Sequence, residues 1–271
     1  MVRVQDDVNR TTWAQRPARD DLDRHEGYLE RGEEAAHALA RESMRGGPVL
    51  DIGVGTGRTV PLFELLTDDY TALDYLPSMV EAARARFPGR RIEVGDARDL
   101  SRFPDSTFEL VSFSFNGIDS VDHEGRARIL AEVRRVLRPG GTFLFSTLLV
   151  EGPAYGMRPW RLDVGRSHQK WGGAVDAAKQ LVTLPVTTAN WARLRGSTVV
   201  GDGWAVAPLC AHRYKVLAHY TSLRLQLAEL DAHGFAPSPR VLSCVDARDC
   251  VPGDPHLREV DYVHIVARTP E

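Results

Sequence analysis

Apolar and polar positions alternate between two rhythms over the first half of the chain. Short apolar runs at 49–52, 70–74, 91–94, 108–114 and 142–147 are each bounded by Gly, Pro or Asp, the pattern of strands. Between them lie stretches with helical spacing. In 21–45, Leu22, Tyr28, Leu29, Ala35, Ala36, Leu39 and Ala40 recur among charges. A short helix is expected over 58–66, and another from Ser78 to about Phe87, with Pro77 at its start, where a missing N–H costs nothing. In 123–137, Ile129, Leu130, Val133, Val136 and Leu137 form one apolar face. Gly46-Gly47-Pro48, Pro88-Gly89 and Arg138-Pro139-Gly140-Gly141 punctuate these helices. Strand alternating with helix predicts a parallel sheet joined by right-handed crossovers. Residues 1–20 are polar and broken at Pro17, and are expected to be weakly ordered.

The rhythm breaks after 147. Residues 150–215 carry Trp160, Trp171, Trp191 and Trp204 among glycines and prolines, and are expected to be an insertion above the C-terminal edge of the sheet. Regular patterning returns with a helix at 222–230 capped by Gly234, then strands at 240–245 and 260–267 around a turn-rich 248–256. The chain thus divides into an N-terminal helical cap (1–45), a core (46–149), a lid or substrate insertion (150–215) and the end of the core sheet (216–271).

Composition narrows the partners. The 271 residues, 43% hydrophobic and 26% charged, suit one large α/β domain or one domain carrying a substantial insertion. A net charge of −3 lacks the basic excess that a nucleic-acid partner requires. No apolar run is long enough to span a membrane, and the N-terminus lacks the apolar core of a signal peptide, so a cytoplasmic protein without a membrane partner is expected. Cys210, Cys244 and Cys250 are few, odd in number and without zinc spacing, so neither disulfide nor metal is expected. The pattern leaves monomer and homodimer open.

The richest chemistry follows the first strand. Asp51 precedes Gly53-Val54-Gly55-Thr56-Gly57, where glycines at alternating positions let a ligand approach the main chain. The helix after the loop offers free N–H groups to an anionic or polar ligand, as at the nucleotide end of a doubly wound sheet. The G-x-G-x-G spacing with a preceding acid differs from the dinucleotide fingerprint G-x-G-x-x-G and points to S-adenosylmethionine. Asp51 can accept from an ammonium group. Asp74, ending the second strand, can accept both hydroxyls of a ribose, and Tyr75, Leu76 and Met79 can wall an adenine. Asp96 can accept from the adenine amine while the Ala97 N–H donates to a ring nitrogen; an exposed turn is the other reading of Asp96. After the fourth strand come Ser114 and Asn116, at the place where ligands meet in open α/β sheets, then Asp119, either a base or amine-orienting group or, with Asp122, a helix cap. His219 is a candidate substrate base, with a structural role the alternative. The tryptophans of the insertion either line a pocket or form its own small core.

In order and spacing, 49–59, Asp74, Gly95-Asp96-Ala97, 108–115 and Leu137-Arg138-Pro139-Gly140-Gly141 resemble the motifs of class I S-adenosylmethionine-dependent methyltransferases. The resemblance covers 25–148, with 221–268 fitting the end of the same fold. It implies a doubly wound, Rossmann-like sheet of seven strands with the last antiparallel, and the small-molecule branch of the family, including enzymes that tailor natural products. On family grounds Tyr28 and Arg31 contact the methionine end of the cofactor. The absence of an Asn-Pro-Pro-Tyr-type motif after the fourth strand disfavours amide and adenine N-methylation, and no Asp-His pair of the metal-dependent type flanks it. Methyl transfer to an O, N or C atom of a small metabolite is the leading expectation. Attack on another carbon of the sulfonium, a non-catalytic cofactor-binding module and a dinucleotide oxidoreductase are the alternatives.

Overall fold

The computed structural model describes residues 2–15, 29–161 and 172–271. In chain order the elements are α1 (Val2–Trp13), α2 (Arg31–Ser43), β1 (Val49–Ile52), α3 (Val60–Glu64), β2 (Tyr70–Asp74), α4 (Pro77–Arg86), β3 (Arg91–Val94) and β4 (Phe108–Phe113). They continue with α5 (His123–Val136), β5 (Leu137–Leu148), α6 (Gly172–Leu194), β6 (Val199–Val200), β7 (Trp204–Pro208) and β8 (Leu217–Thr221). The chain ends with α7 (Leu223–Ala232), β9 (Arg240–Ser243) and β10 (Tyr262–Arg268).

β1 is buried at every residue, as is β2, because both faces of a parallel sheet are covered by crossover helices. β1 pairs in parallel with β2 and β4, and the seven-stranded order is β3-β2-β1-β4-β5-β10-β9. β10 runs antiparallel to both of its neighbours, with Ile265 opposite Phe145 and Val241. The expected doubly wound sheet with an antiparallel last strand is therefore present. The reversal of strand order lies between β1 and β4, so the loops after these two strands diverge and leave a crevice at their C-terminal ends. Ile52, Phe108, Val111, Ile129, Leu130 and Val133 belong to the larger core cluster, and Val49, Phe63, Val80, Ile92 and Leu144 to the second. α5 begins at Asp122, whose Oδ1 accepts from Gly125 N at 2.8 Å, which settles the capping alternative in favour of Asp122 rather than Asp119.

Several elements depart from the sequence pattern. The segment expected to be weakly ordered holds α1. Its buried face is polar: Gln5 and Asn9 are nearly inaccessible, so a search for apolar periodicity passes over it. α3 is one short turn over 60–64 rather than a helix over 58–66, with Pro61 in its first turn. α2 begins at Arg31, and the part of the expected 21–45 helix before residue 29 lies outside the described residues, as does Trp171. The region expected as an irregular insertion contains α6, of 23 residues, and a second, antiparallel sheet β6-β7-β8. That sheet runs to Thr221, past the expected boundary at 215, and joins the main sheet where Leu149 bridges Thr221. Among the described residues no helix is long and apolar enough to cross a membrane.

Candidate functional site

The loop after β1 turns on glycines in left-handed conformations. Gly53 has φ +68, and a Cβ there would lie 2.7 Å from the Phe113 ring, so β1 and β4 can splay apart only around glycine. At Gly57 (φ +98) a Cβ would lie 2.4 Å from the Phe87 ring, so its requirement comes from packing on the end of α4 rather than from a ligand. Gly55 N donates to Asp74 Oδ2 at 3.0 Å, and Leu76 N to Asp74 Oδ1 at 2.9 Å. The tip of β2 is thereby tied to the glycine loop. Asp74 is only 6% exposed, and burial pushes its carboxyl up to about 6 despite those two bonds.

A cavity opens above this junction. Gly53, Gly55, Asp74, Tyr75, Met79, Asp96, Ala97 and Ser114 all line it, so the structure gathers most of the expected cofactor set around one space. Leu76, Ile52, Phe113 and Ile129 supply apolar wall. Asp51 and Gly57 do not line it. Asp51 points beneath the loop, where its Oδ2 accepts from Thr59 Oγ1 at 2.5 Å and Tyr70 Oη at 2.8 Å, and burial pushes it up to about 6. It braces the loop from inside instead of meeting a ligand. Arg31 is exposed at the start of α2 and lines neither this cavity nor the one described next, and Tyr28 lies outside the described residues.

Residues that sequence patterning passed over complete the walls. Arg58, just past the loop, makes a two-pronged ion pair with Glu33 of α2 at 2.9 and 2.6 Å. Burial pushes the Glu33 carboxyl up, but the bonds and charge of Arg58 outweigh it and hold it below the usual range. The pair fixes α2 against the loop. α1 then roofs the space. Arg10 donates to Asp96 at 3.1 Å and lies over the Tyr75 ring at 4.4 Å, and Arg98 reaches Asp6 at 2.7 Å. Burial raises the Asp96 carboxyl, but hydrogen bonds from Arg98 and the charges of Arg98 and Arg10 bring it below its ordinary value. Asp96 is thus committed to two arginines, a role its place in a turn did not suggest. Gln5 and Asn9 fasten α1 to the rest: the Gln5 amide donates to the carbonyls of Asp119, Val121 and Leu217, and Asn9 both donates to Leu217 O (2.8 Å) and accepts from Leu217 N (3.0 Å).

A second cavity adjoins the first, with Trp13, Phe115 and Ser120 in the walls of both. It lies between the C-terminal ends of β4 and β5, the start of β10 and the inner edge of the small sheet, and Asn116, Asp119, Glu30, Asp261, Tyr262 and His212 contribute to it. Phe115 and Asn116 both have left-handed backbones (φ 54 and 57), which asparagine adopts readily but which costs about 1–3 kcal/mol at the bulky Phe115. Asn116 N donating to Ser146 Oγ at 2.7 Å holds that turn and leaves the Phe115 ring between the two spaces.

The three expected catalytic residues separate. Asn116 lines the second cavity, and its Oδ1 is shut from solvent without a protein partner. Asp119 lines it too, but both oxygens are engaged: Oδ1 accepts from Arg126 and from Thr147 Oγ1 (2.9 Å), Oδ2 from Leu148 N (2.7 Å). Arg126 continues to Gln226 on α7, so Asp119 is the end of a buried polar strut. Burial pushes its carboxyl up, with Arg126 opposing. His219 reaches neither cavity. It is fully buried in β8, stacked with Trp204 and His123, with Nε2 3.2 Å from His123 Nδ1. Burial, Arg126 and His123 hold it neutral far below its ordinary range, which suits a joint and not a base exchanging protons with substrate. The glutamate and tyrosine of the cavity had no motif to mark them: Glu30 and Tyr262 come from opposite ends of the chain and meet only in the fold, where Tyr262 Oη donates to Glu30. Among the described residues no group of three or more His, Cys, Asp or Glu is placed to hold a metal ion.

Residues 49–141, which carry the glycine loop and the first cavity's floor, match the model of a methyltransferase domain family. Over 131 residues the chain is 34% identical to a demethylmenaquinone methyltransferase of Leptospira interrogans, covering 45% of each. The chain spans about half the length of the curated relatives it matches. A solved S-adenosylmethionine-dependent methyltransferase of Thermotoga maritima, described as a possible histamine N-methyltransferase, superposes with a TM-score of 0.56 at 18% identity, over 97% of this chain and 100% of that one. The 1,6-didemethyltoxoflavin-N1-methyltransferase of Burkholderia thailandensis, solved with its substrate and S-adenosylhomocysteine, superposes with a TM-score of 0.56 at 15% identity, covering 97% and 88%.

Proposed function

We propose that the chain is a class I S-adenosylmethionine-dependent methyltransferase that methylates a small metabolite at an N, O or C atom; the methyltransferase-domain match over 49–141 supports that reading. The observation that carries the reading is the pair of adjoining cavities, one built on the glycine loop and Asp74, the other meeting it at Trp13, Phe115 and Ser120. The similarly folded Burkholderia thailandensis methyltransferase was solved with 1,6-didemethyltoxoflavin and S-adenosylhomocysteine both bound, which is in keeping with this reading. S-adenosylmethionine supplies a methyl group already activated on a sulfonium.

The residues around the first cavity fit that molecule. The Asp74 carboxylate can accept the ribose hydroxyls, Leu76 and Met79 offer apolar walls for a flat base, and the glycine loop admits main-chain contact with the remainder. What is left for the protein is alignment and exclusion of water. Trp13 and Phe115 close the junction with aromatic faces, which also favour a nearby cation. As the acceptor atom bonds to the methyl carbon, the carbon–sulfur bond breaks and its electron pair returns to sulfur, and any acceptor proton passes to solvent or to a carboxylate in the second cavity. In this reading α1 and the small sheet β6-β7-β8 form the lid over the two cavities. The test is calorimetric titration with S-adenosylmethionine, followed by chromatography of products from an acceptor panel. Binding at micromolar affinity and release of S-adenosylhomocysteine are expected. No binding sinks the proposal, and methylthioadenosine as product replaces methyl transfer with attack on another carbon.

A further inference from the structure

The outer surface of α6 has its polarity reversed. Its exposed residues are Leu181, Val182, Pro185, Val186, Ala189 and Ala192, with Arg193 at the end. At about 100° per residue these positions fall in one stripe about 140° wide. Leu181, Val182 and Val186 are 57%, 81% and 52% exposed, whereas Thr183, Thr187 and Asn190 lie on the more covered side. A helix packed on a core ordinarily turns its apolar stripe inward. α6 is fastened from its other side: Asn190 Nδ2 donates to Arg213 O at 3.0 Å, and Leu194 joins the buried cluster of Val206 and Leu217.

Aromatic and cationic groups mark the C-terminal end of the stripe. Trp160, also exposed, meets Trp191 edge-on with ring centres 5.2 Å apart. Arg158 and Arg195 lie over the Trp191 ring at 4.9 and 5.0 Å. Arg161, next to Trp160, and Arg193, two residues after Trp191, are exposed, and none of these four arginines makes an ion pair among the described residues. No Asp or Glu occurs in 152–162 or 177–201, so these segments are purely cationic. An apolar stripe bounded by tryptophan and arginine matches the layering of a bilayer surface: acyl chains, the interface that tryptophan prefers, then phosphate. A second copy of the chain fits the stripe less well. Centred on Val186, an antiparallel pair sets Arg193 against position 179, a lysine, and a parallel pair sets Arg193 against itself.

We propose that α6 and the 158–161 turn form a membrane-docking surface, with Leu181, Val182 and Val186 entering the acyl region of an anionic bilayer and the arginines meeting its phosphates. Such a surface lies on the membrane without crossing it. The expectation of no membrane partner rested on the lack of a spanning run, which this partner does not require. α6 also packs on the 211–214 turn, and Ala211 and His212 line the second cavity, so docking sets that cavity one helix away from the lipid. The inference stands independently of the methyltransferase reading.

The test is co-sedimentation of the whole chain with large unilamellar vesicles, made either of phosphatidylcholine alone or of phosphatidylcholine and phosphatidylglycerol in equal parts. Binding to the mixed vesicles is expected to be about tenfold tighter or more, since each basic residue near an anionic surface contributes about fivefold. Val182→Gln combined with Val186→Gln is expected to weaken binding to the mixed vesicles about tenfold or more, because it removes apolar surface from the acyl region. Arg161→Gln combined with Arg193→Gln is expected to weaken it about tenfold while leaving binding to phosphatidylcholine within about twofold. All four side chains are exposed, so melting temperatures should stay within a few degrees of the wild type. Failure to bind the mixed vesicles overturns the proposal. So does binding that the valine substitutions leave unchanged, which would reduce the contact to charge alone. A dimer in sedimentation velocity that the valine substitutions dissolve, without vesicle binding, assigns the stripe to a second copy and overturns it as well.

Discussion

Asp74 ties the end of β2 to the glycine loop, and in the proposed reading it also meets the ribose. Each of its oxygens already accepts a backbone N–H, from Gly55 in the loop after β1 and from Leu76. Ribose hydroxyls would add donors to the ionised form only, so binding and ionisation are linked. Burial raises its carboxyl to about 6 in the free protein. Above that pH the group is ready to accept, and below it a proton must be displaced. Affinity for S-adenosylhomocysteine is therefore expected to be level above about pH 7 and to fall by up to about tenfold per unit as pH drops below 6. Asp74→Asn is expected to weaken binding about tenfold or more at pH 8, since bonds to a charged acceptor are worth about 1.5–3 kcal/mol. The variant is also expected to lose the acid limb. Calorimetry between pH 5 and 8 decides it: an unchanged acid limb in the variant removes Asp74 from the site. The raised carboxyl has the reverse consequence for folding, because its share of apo stability is largest below its unfolded value near 4 and is lost as pH rises through 6.

At the scale of elements, α1 is the piece that the sequence concealed. Strands β1, β2 and β4 announce themselves by continuous apolar runs between turn residues, and the glycine loop and Asp74 stand in fixed order beside them, so most of the lining of the first cavity was legible. α1 buries amides instead. Gln5, Asn9 and Thr12 recur at helical spacing and satisfy backbone groups of the 217 strand end, the 119–121 turn and Lys215, while only Val8 adds an apolar contact to the cluster around Leu217. Such a face has the right period with the wrong polarity for a search keyed to apolar residues. Its hydrogen bonds make it specific. Asn9→Leu keeps the volume but strands Leu217 N and Ser120 O and leaves Leu217 O to Gln5 alone. Leaving buried groups unsatisfied costs about 1–3 kcal/mol each, and partial access of water to the lifted helix limits the total to about 2–4 kcal/mol. Amide exchange is the discriminating measurement: the Leu217 amide should lose protection by a hundredfold or more while that of Leu110 in β4 stays at the wild-type level. Equal protection of Leu217 in both proteins would mean that α1 is not held through Asn9.

The whole molecule is two sheets meeting over one crevice, and their joint was legible only in fragments. His219 stood out as a histidine near the end of the insertion, but nothing local told that β8 would turn it away from the cavities and onto His123 and Trp204. That outcome depends on β7 pairing with β8 and on α5 approaching from the main domain. Asp119, similarly, lay in the right loop for chemistry, yet Arg126, seven residues on, and Gln226, far away in sequence, enlist it in the core. The joint has a measurable signature. His219 faces His123, Arg126 and Trp204, and Glu229 of α7 lies 3.6 Å behind His123. With burial the largest cause, and Arg126 and His123 acting in the same direction, His219 is held neutral and its folded value is far below the ordinary 6.5 that applies when the chain unfolds. Unfolded chains therefore take up a proton first. The histidine's contribution to stability is complete above pH 6.5 and is lost as pH falls below it, at up to about 1.4 kcal/mol per unit. His37 and His264, lowered to about 4 by burial, act in the same direction, so the wild-type slope is a sum. His219→Phe retains an aromatic ring for the stack and removes one titrating group along with an unpartnered buried Nδ1. At pH 7 the variant is expected to match the wild type within about 1 kcal/mol, as for other near-isosteric core replacements. Between pH 7 and pH 5 it is expected to lose about 2 kcal/mol less than the wild type, the share of one histidine over about 1.5 units. Urea unfolding at the two pH values measures that difference directly, and the acid-dependent terms common to both proteins cancel in it. If both proteins weaken equally between pH 7 and 5, His219 is not the neutral joint between the sheets.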